Sequence, residues 1–221
     1  MSDKELYLKE LNEQGKVLFS SDKYEEAIKK YMRAIEEDPM YLKTYFNACE
    51  AYIMADRYEE AKKMMKRVLL VEKNNGEAYF HLGNIALLEN DYEEGRLQYA
   101  KAINCKYDVP SIYLNLASVA EENDEWEEAI AYYNKAIARD KLLYSAKIRK
   151  IQIYMMMKRN GEALNSAEDL INTNPEIFEG HHLKFVILAT ENKLTEAEKV
   201  LKNAVELFPD DQGFMFDYVK L

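Results

Sequence analysis

The chain repeats itself every 34 residues, and this recurrence limits its possible folds more than any other feature. A run of acid or amide, spacer, aromatic, Glu, Glu and small residue occurs from Asp22 to Ala27, and again from Asp56 to Ala61, Asn90 to Gly95 and Asp124 to Ala129. The same ruler carried forward lands on Ala163 and Ala197, each preceded by a glutamate. A fixed period of this length marks an array in which one supersecondary unit recurs and each copy buries its apolar face against its neighbours. The register divides the chain at about 8–41, 42–75, 76–109, 110–143, 144–177 and 178–211, and residues 212–221 begin a further unit, expected to be a partial capping helix.

Within a unit the apolar residues fall at three- and four-residue spacing. Tyr45, Ala48, Cys49 and Tyr52 form one helical stripe, and Ala61, Met65 and Val68 form a second. Asp and Asn between the stripes predict a helical hairpin. Only seven Gly and four Pro punctuate the chain, and 48% of its residues are apolar, so an all-α fold with a packed core is expected. Asp22 with Glu25, Asp56 with Glu59, Asn90 with Glu93 and Asp124 with Glu127 have capping-box spacing, which predicts that the first member of each pair caps the second helix.

The residue types at these positions follow a known order. The first helix carries Leu11, Gln14, Gly15 and Leu18 in the first repeat and Tyr79, Leu82, Gly83 and Ala86 in the third. The second helix carries Ala27, Tyr31 and Ala34 before Pro39, then Ala129, Tyr133 and Ala136 in the fourth repeat. On these residues the chain resembles the tetratricopeptide repeat family over nearly its whole length. Departures fall late: Lys147 and His181 replace a bulky residue in the fifth and sixth repeats, and Gly161 weakens one helix start.

The resemblance implies an all-α, right-handed superhelical solenoid of about six helix-turn-helix repeats plus a short C-terminal helix, forming a single domain over 1–221. It further implies a protein–protein interaction scaffold or adaptor that binds a peptide segment of a partner in a concave groove lined by the first helices. The ligand-facing repeat positions hold Phe46, Asn47, Phe80, Asn84, Leu87, Leu114, Asn115 and Arg149, which are the expected peptide-binding residues. Phe46, Phe80, Leu87 and Leu114 are large and apolar outside the core positions of the repeat; the competing expectation is that they pack against adjacent units. An asparagine amide can pair with a peptide N–H and C=O, and the Arg149 guanidinium can fork onto a carboxylate. Phe80 and Ser145 stand where the family's carboxylate-clamping relatives carry lysine, which disfavours a chaperone tail as the ligand.

Other function classes find little support. The formal net charge of −10 repels a phosphate backbone, so no nucleic acid partner is expected. The longest apolar runs, such as Phe185 to Ala189, are far short of the roughly 20 residues that cross a bilayer. Charges throughout the first residues oppose a secretory signal, and a cytoplasmic, membrane-free protein is expected. Cys49 and Cys105 form no disulfide framework, and His81, His181 and His182 occur in no metal-binding spacing. The acidic stretch Glu121 to Glu128 lacks the alternating ligands and central glycine of a calcium loop. No catalytic residue, metal or cofactor is therefore expected. Two further readings compete with the adaptor: a self-assembling solenoid, as a homodimer joined through the apolar Phe214 to Tyr218 segment or through the exposed groove, and the docking domain of a larger polypeptide.

Overall fold

The computed structural model describes residues 3–209, which form twelve α-helices and no strand. The predicted capping helix over 212–221 lies outside the described residues. The odd-numbered helices are α1 (Asp3–Phe19), α3 (Leu42–Met54), α5 (Gly76–Leu88), α7 (Pro110–Glu122), α9 (Tyr144–Met156) and α11 (Phe178–Thr190). The even-numbered ones are α2 (Tyr24–Glu37), α4 (Tyr58–Val71), α6 (Tyr92–Asn104), α8 (Trp126–Arg139), α10 (Asn160–Thr173) and α12 (Leu194–Leu207). From α2 and α3 onward, each series starts anew every 34 residues, so the sequence period is the structural period.

The chain is a helical repeat solenoid that divides into two compact units, one ending at Asp108 and the other starting at Val109. Each unit holds three hairpins. In the first, α2 packs on α3 and α4 on α5, and the odd helices α1, α3 and α5 lie side by side. In the second, α8 packs on α9, α10 on α11, and α9 lies against α11. The interiors are built from the small and aromatic residues of the repeat: Ala27, Ala61, Ala129, Ala163 and Ala197 are fully buried, with Tyr31 and Tyr99 filling the space between helices. Gly83 lets α5 approach α6 so closely that a Cβ there would stand 2.6 Å from the Tyr99 ring.

The hairpin turns correct one expectation. Asp22, Asp56, Asn90 and Asp124 do not cap the following helices; the N-caps of α2, α4 and α8 are Lys23, Arg57 and Glu125, none with a side-chain cap. The caps of α6 and α5 are Asp91, which accepts from the Glu94 N–H at 3.2 Å, and Asn75, which accepts from the Ala78 N–H at 2.9 Å. Asp22, Asp56, Asn90 and Asp124 instead occupy the left-handed region, with φ between 56° and 62°, as do Lys158 and Asn192 at the equivalent places. This conformation closes each odd helix: the Asp22 N–H donates to the Phe19 carbonyl at 3.0 Å and the Lys23 N–H to the Leu18 carbonyl at 2.9 Å. Asp and Asn tolerate the conformation better than other non-glycine residues, and Asp22 also accepts from the Tyr24 hydroxyl at 2.6 Å. The glutamate pairs remain in the first turn of α2, α4, α6 and α8, where the helix dipole favours them.

The two late departures are absorbed by polar bonds. In the second and third hairpins, the Tyr45 hydroxyl donates to the Pro39 carbonyl at 3.1 Å and the Tyr79 hydroxyl to the Lys73 carbonyl at 3.1 Å. His181 takes this position in α11, and its Nε2 lies 3.0 Å from the Pro175 carbonyl. Lys147, only 4% exposed, donates to the Thr173 hydroxyl at 2.7 Å and faces Asp169 at 3.7 Å.

Candidate functional site

In the first unit the row of odd helices carries five of the expected ligand residues. The α1–α3 junction is organised by Asn12, which is buried; its Oδ1 accepts from the Thr44 hydroxyl at 3.0 Å and from Asn47 Nδ2 at 3.3 Å, and its own Nδ2 donates to the Leu8 carbonyl. Asn47 is thus steered by α1. Beside it lies a cavity of about 440 Å³ between α1 and α3, where Lys9, Lys16 and Lys43 face Glu5, Glu13 and Asp38. Lys16 is paired with Glu13 at 2.7 Å, so the charges around the cavity are balanced.

Between α3 and α5 the chemistry changes. Phe46 is half-buried, with its ring centroid 5.6 Å from that of His81. Phe80, also half-buried, stands 5.6 Å from His81, 5.5 Å from Tyr107 and 6.0 Å from Tyr99. Asn84 accepts from the Tyr99 hydroxyl at 2.7 Å, which turns its carbonyl oxygen away from solvent duty. Leu87 is half-buried over Gly95, where an added Cβ would stand 2.5 Å from its Cδ2. His81 is 8% exposed and forms no hydrogen bond with a described residue; burial alone lowers its pKa to about 4, so the imidazole is neutral at pH 7. Burial raises the pKa of Glu50, and the field of Glu77 raises it further. Burial also pushes the Cys49 thiol up to about 12.

The second unit places the other three residues. Leu114 packs against the cluster of Ala117, Ala129, Ile130 and Tyr133, and Asn115 beside it is half-buried. Arg149 reaches from α9 to α7, where its Nε donates to Glu121 Oε2 at 2.7 Å and its Nη2 bonds the same carboxylate. The other oxygen of Glu121 accepts from the Tyr133 hydroxyl at 2.5 Å. Hydrogen bonding to Glu121 raises the pKa of Arg149, and burial followed by Glu121 raises that of Tyr133. The guanidinium fork expected to meet a ligand carboxylate is engaged within the protein.

Asn12 and Lys9 were not among the expected ligand residues. Both lie in the first repeat, and their signal was the polar composition of α1 on the face toward α3. Among the described residues, no group of three His, Cys, Asp or Glu side chains is arranged to hold a metal, and no helix is long and apolar enough to cross a membrane. The odd-helix rows offer rings, amides and carboxylates for non-covalent recognition.

Comparison with known proteins agrees with this architecture. Residues 18–82 match one family model described as tetratricopeptide repeat, and residues 76–106 and 110–141 match a second with the same description. No curated protein matches the chain. Among solved structures, YrrB, described as a tetratricopeptide repeat protein with an unusual peptide-binding site, is 19% identical with a TM-score of 0.60, covering 86% of this chain and 98% of its own. The C-terminal part of a repeat-containing protein of Cytophaga hutchinsonii is 18% identical with a TM-score of 0.70, covering 89% and 79%. Pseudomonas aeruginosa PilF is 12% identical with a TM-score of 0.67 and full coverage of both chains. At these identities the likeness is one of fold.

Proposed function

The chain belongs to the tetratricopeptide repeat family, and from that footing we propose that it is an adaptor whose odd-helix row in the first unit binds a peptide segment of a partner protein. Repeats of this family are in general protein–protein interaction scaffolds rather than enzymes. The observation that carries the finer reading is the pair Phe46 and Phe80: two large rings, not core residues of the repeat, remain half-buried on adjacent helices beside the amides of Asn47 and Asn84. Partly covered aromatic anchors flanked by amides suit an extended or helical peptide, which covers the rings and pairs its backbone with the amides.

The test is selection of a displayed library of random 12-residue peptides on the purified chain, followed by fluorescence anisotropy with recovered sequences. Replacing Phe80 and Asn84 together by alanine is expected to weaken binding at least about tenfold, a loss of about 1.4 kcal/mol. Thermal melting of the variant checks that the fold survives. Failure to recover any binding peptide, or equal affinity in the double variant, overturns the proposal.

A further inference from the structure

The acids of the first unit divide into two kinds. Most are satisfied: Glu25 and Glu60 pair with Arg57, Glu59 and Glu89 with Lys62, and Glu13 with Lys16. Glu26, Glu36, Glu37, Glu50, Glu77 and Glu93 form no ion pair or hydrogen bond with any described residue, and among them Glu50 lies within the field of Glu77. The positions of these two are related. Glu50 lies one turn beyond Phe46 on α3, and Glu77 lies one turn before His81 on α5, so each shares a face with one partner of the Phe46–His81 ring contact at 5.6 Å. Glu77 also lies close enough to Tyr107 to act on its hydroxyl, and the Tyr107 ring packs on Phe80 at 5.5 Å. Two exposed carboxylates without an ion-pair partner therefore border one aromatic cluster.

The centre of that cluster also holds an open hydrogen-bonding position. His81 is 8% exposed, yet its ring nitrogens have no hydrogen-bonding partner among the described residues. These nitrogens are not among the sealed side-chain atoms left without a partner, so they keep access to the surface and can meet a group from outside. Because the ring is neutral at pH 7, it adds no charge to offset the acids and does not repel a cation. Aromatic faces add to the attraction for one.

Resting on the adaptor reading, we propose that this α3–α5 stretch binds a basic side chain, the lysine or arginine of the bound peptide, between Glu50 and Glu77 and against the Phe46, Phe80 and His81 rings. An organic cation suits the site better than a metal ion, because two carboxylates without a third convergent ligand make a poor metal site, and no group of three is arranged to hold one among the described residues. The α1–α3 cavity, with its lysines and acids in balance, has no comparable preference of charge. The whole chain, with a formal charge of −10, also favours a basic partner in the encounter.

The test runs the 12-residue peptide library on the wild-type chain and, in parallel, on Glu50→Gln/Glu77→Gln, whose side chains keep nearly the same size. Lysine and arginine are expected to rise about threefold or more over the input in the wild-type pool, and this rise is expected to vanish in the double variant. A recovered wild-type peptide is then titrated with its basic residue intact and replaced by norleucine. The replacement is expected to weaken binding about tenfold on the wild type and less than about twofold on the double variant. If the double variant melts early, Glu77→Gln alone takes its place, with about half the effect on a logarithmic scale. Recovered peptides without basic enrichment, or with enrichment that survives the glutamine substitutions, overturn this inference and leave the adaptor reading intact. Recovery of no peptide at all removes both.

Discussion

His181 Nε2 and the Pro175 carbonyl oxygen, 3.0 Å apart, reproduce with an imidazole the bond that Tyr45 and Tyr79 make with a hydroxyl. The ring nitrogen donates, since the carbonyl can only accept, which fixes the Nε2–H tautomer in the neutral side chain. His181→Tyr is therefore expected to leave stability within about 0.5 kcal/mol of wild type, whereas His181→Phe loses the donor and costs about 1 kcal/mol. Urea denaturation of both variants checks the order; a Phe variant as stable as the Tyr variant would contradict it.

The left-handed turn at Asp124, with φ of 58°, sets a second expectation. Asp124→Ala costs about 1 kcal/mol, because alanine has neither the polar side chain nor the freedom to adopt this conformation. Asp124→Gly is neutral or stabilising. Were the residue an N-cap, glycine would cost a few tenths of a kcal/mol rather than stabilise, so a glycine variant that melts above wild type separates the two roles.

His81 sets a pH dependence. Its pKa in the folded chain, about 4, lies below the ordinary histidine value of 6.5, so the unfolded chain takes up the proton first as pH falls. The contribution is fully present above pH 6.5 and is lost progressively as the pH falls to 4, to a total on the order of 3 kcal/mol. In His81→Phe this part of the acid sensitivity is absent. Stability curves of the two proteins are expected to converge by that amount between pH 7 and pH 4; parallel curves would show that the wild-type ring is not held neutral.

Arg149 and Arg57 each pair with a glutamate, but the partners differ in burial. Glu121 has a side chain only 11% exposed and shares its charge with Tyr133, whereas Glu25 is 61% exposed. Arg149→Ala leaves a largely buried carboxylate without its cation and is expected to cost about 2 kcal/mol. Glu25→Ala costs no more than about 0.5 kcal/mol. Equal effects in chemical denaturation would argue against the difference in environment.

The hairpin array was legible because the signal is periodic: small residues and aromatics at fixed spacing admit few other arrangements. The turns were harder, since Asp and Asn serve both as caps and as left-handed residues, and the two roles at Asp22 and Lys23 differ by a single step along the chain. For the candidate site, the repeat assigned places to the expected residues but not the partners those residues meet. That Arg149 stands at a ligand-facing place follows from the repeat; that Glu121, 28 residues earlier, reaches it does not, because neither side chain belongs to the recurring pattern. The burial of His81 was not readable for the same reason, as it depends on Phe46 and Phe80, residues peculiar to these two repeats.

Finally, the burial of Cys49 gives the protein a built-in asymmetry toward sulfhydryl reagents. With its thiol held protonated near neutrality by a pKa of about 12, Cys49 is a poor nucleophile, while Cys105 is half-buried at the end of α6. A maleimide dye added at pH 7 will therefore mark the end of the third hairpin in preference to the interior of the second. That provides a fluorescent reporter on the unit carrying the proposed site without engineering a cysteine.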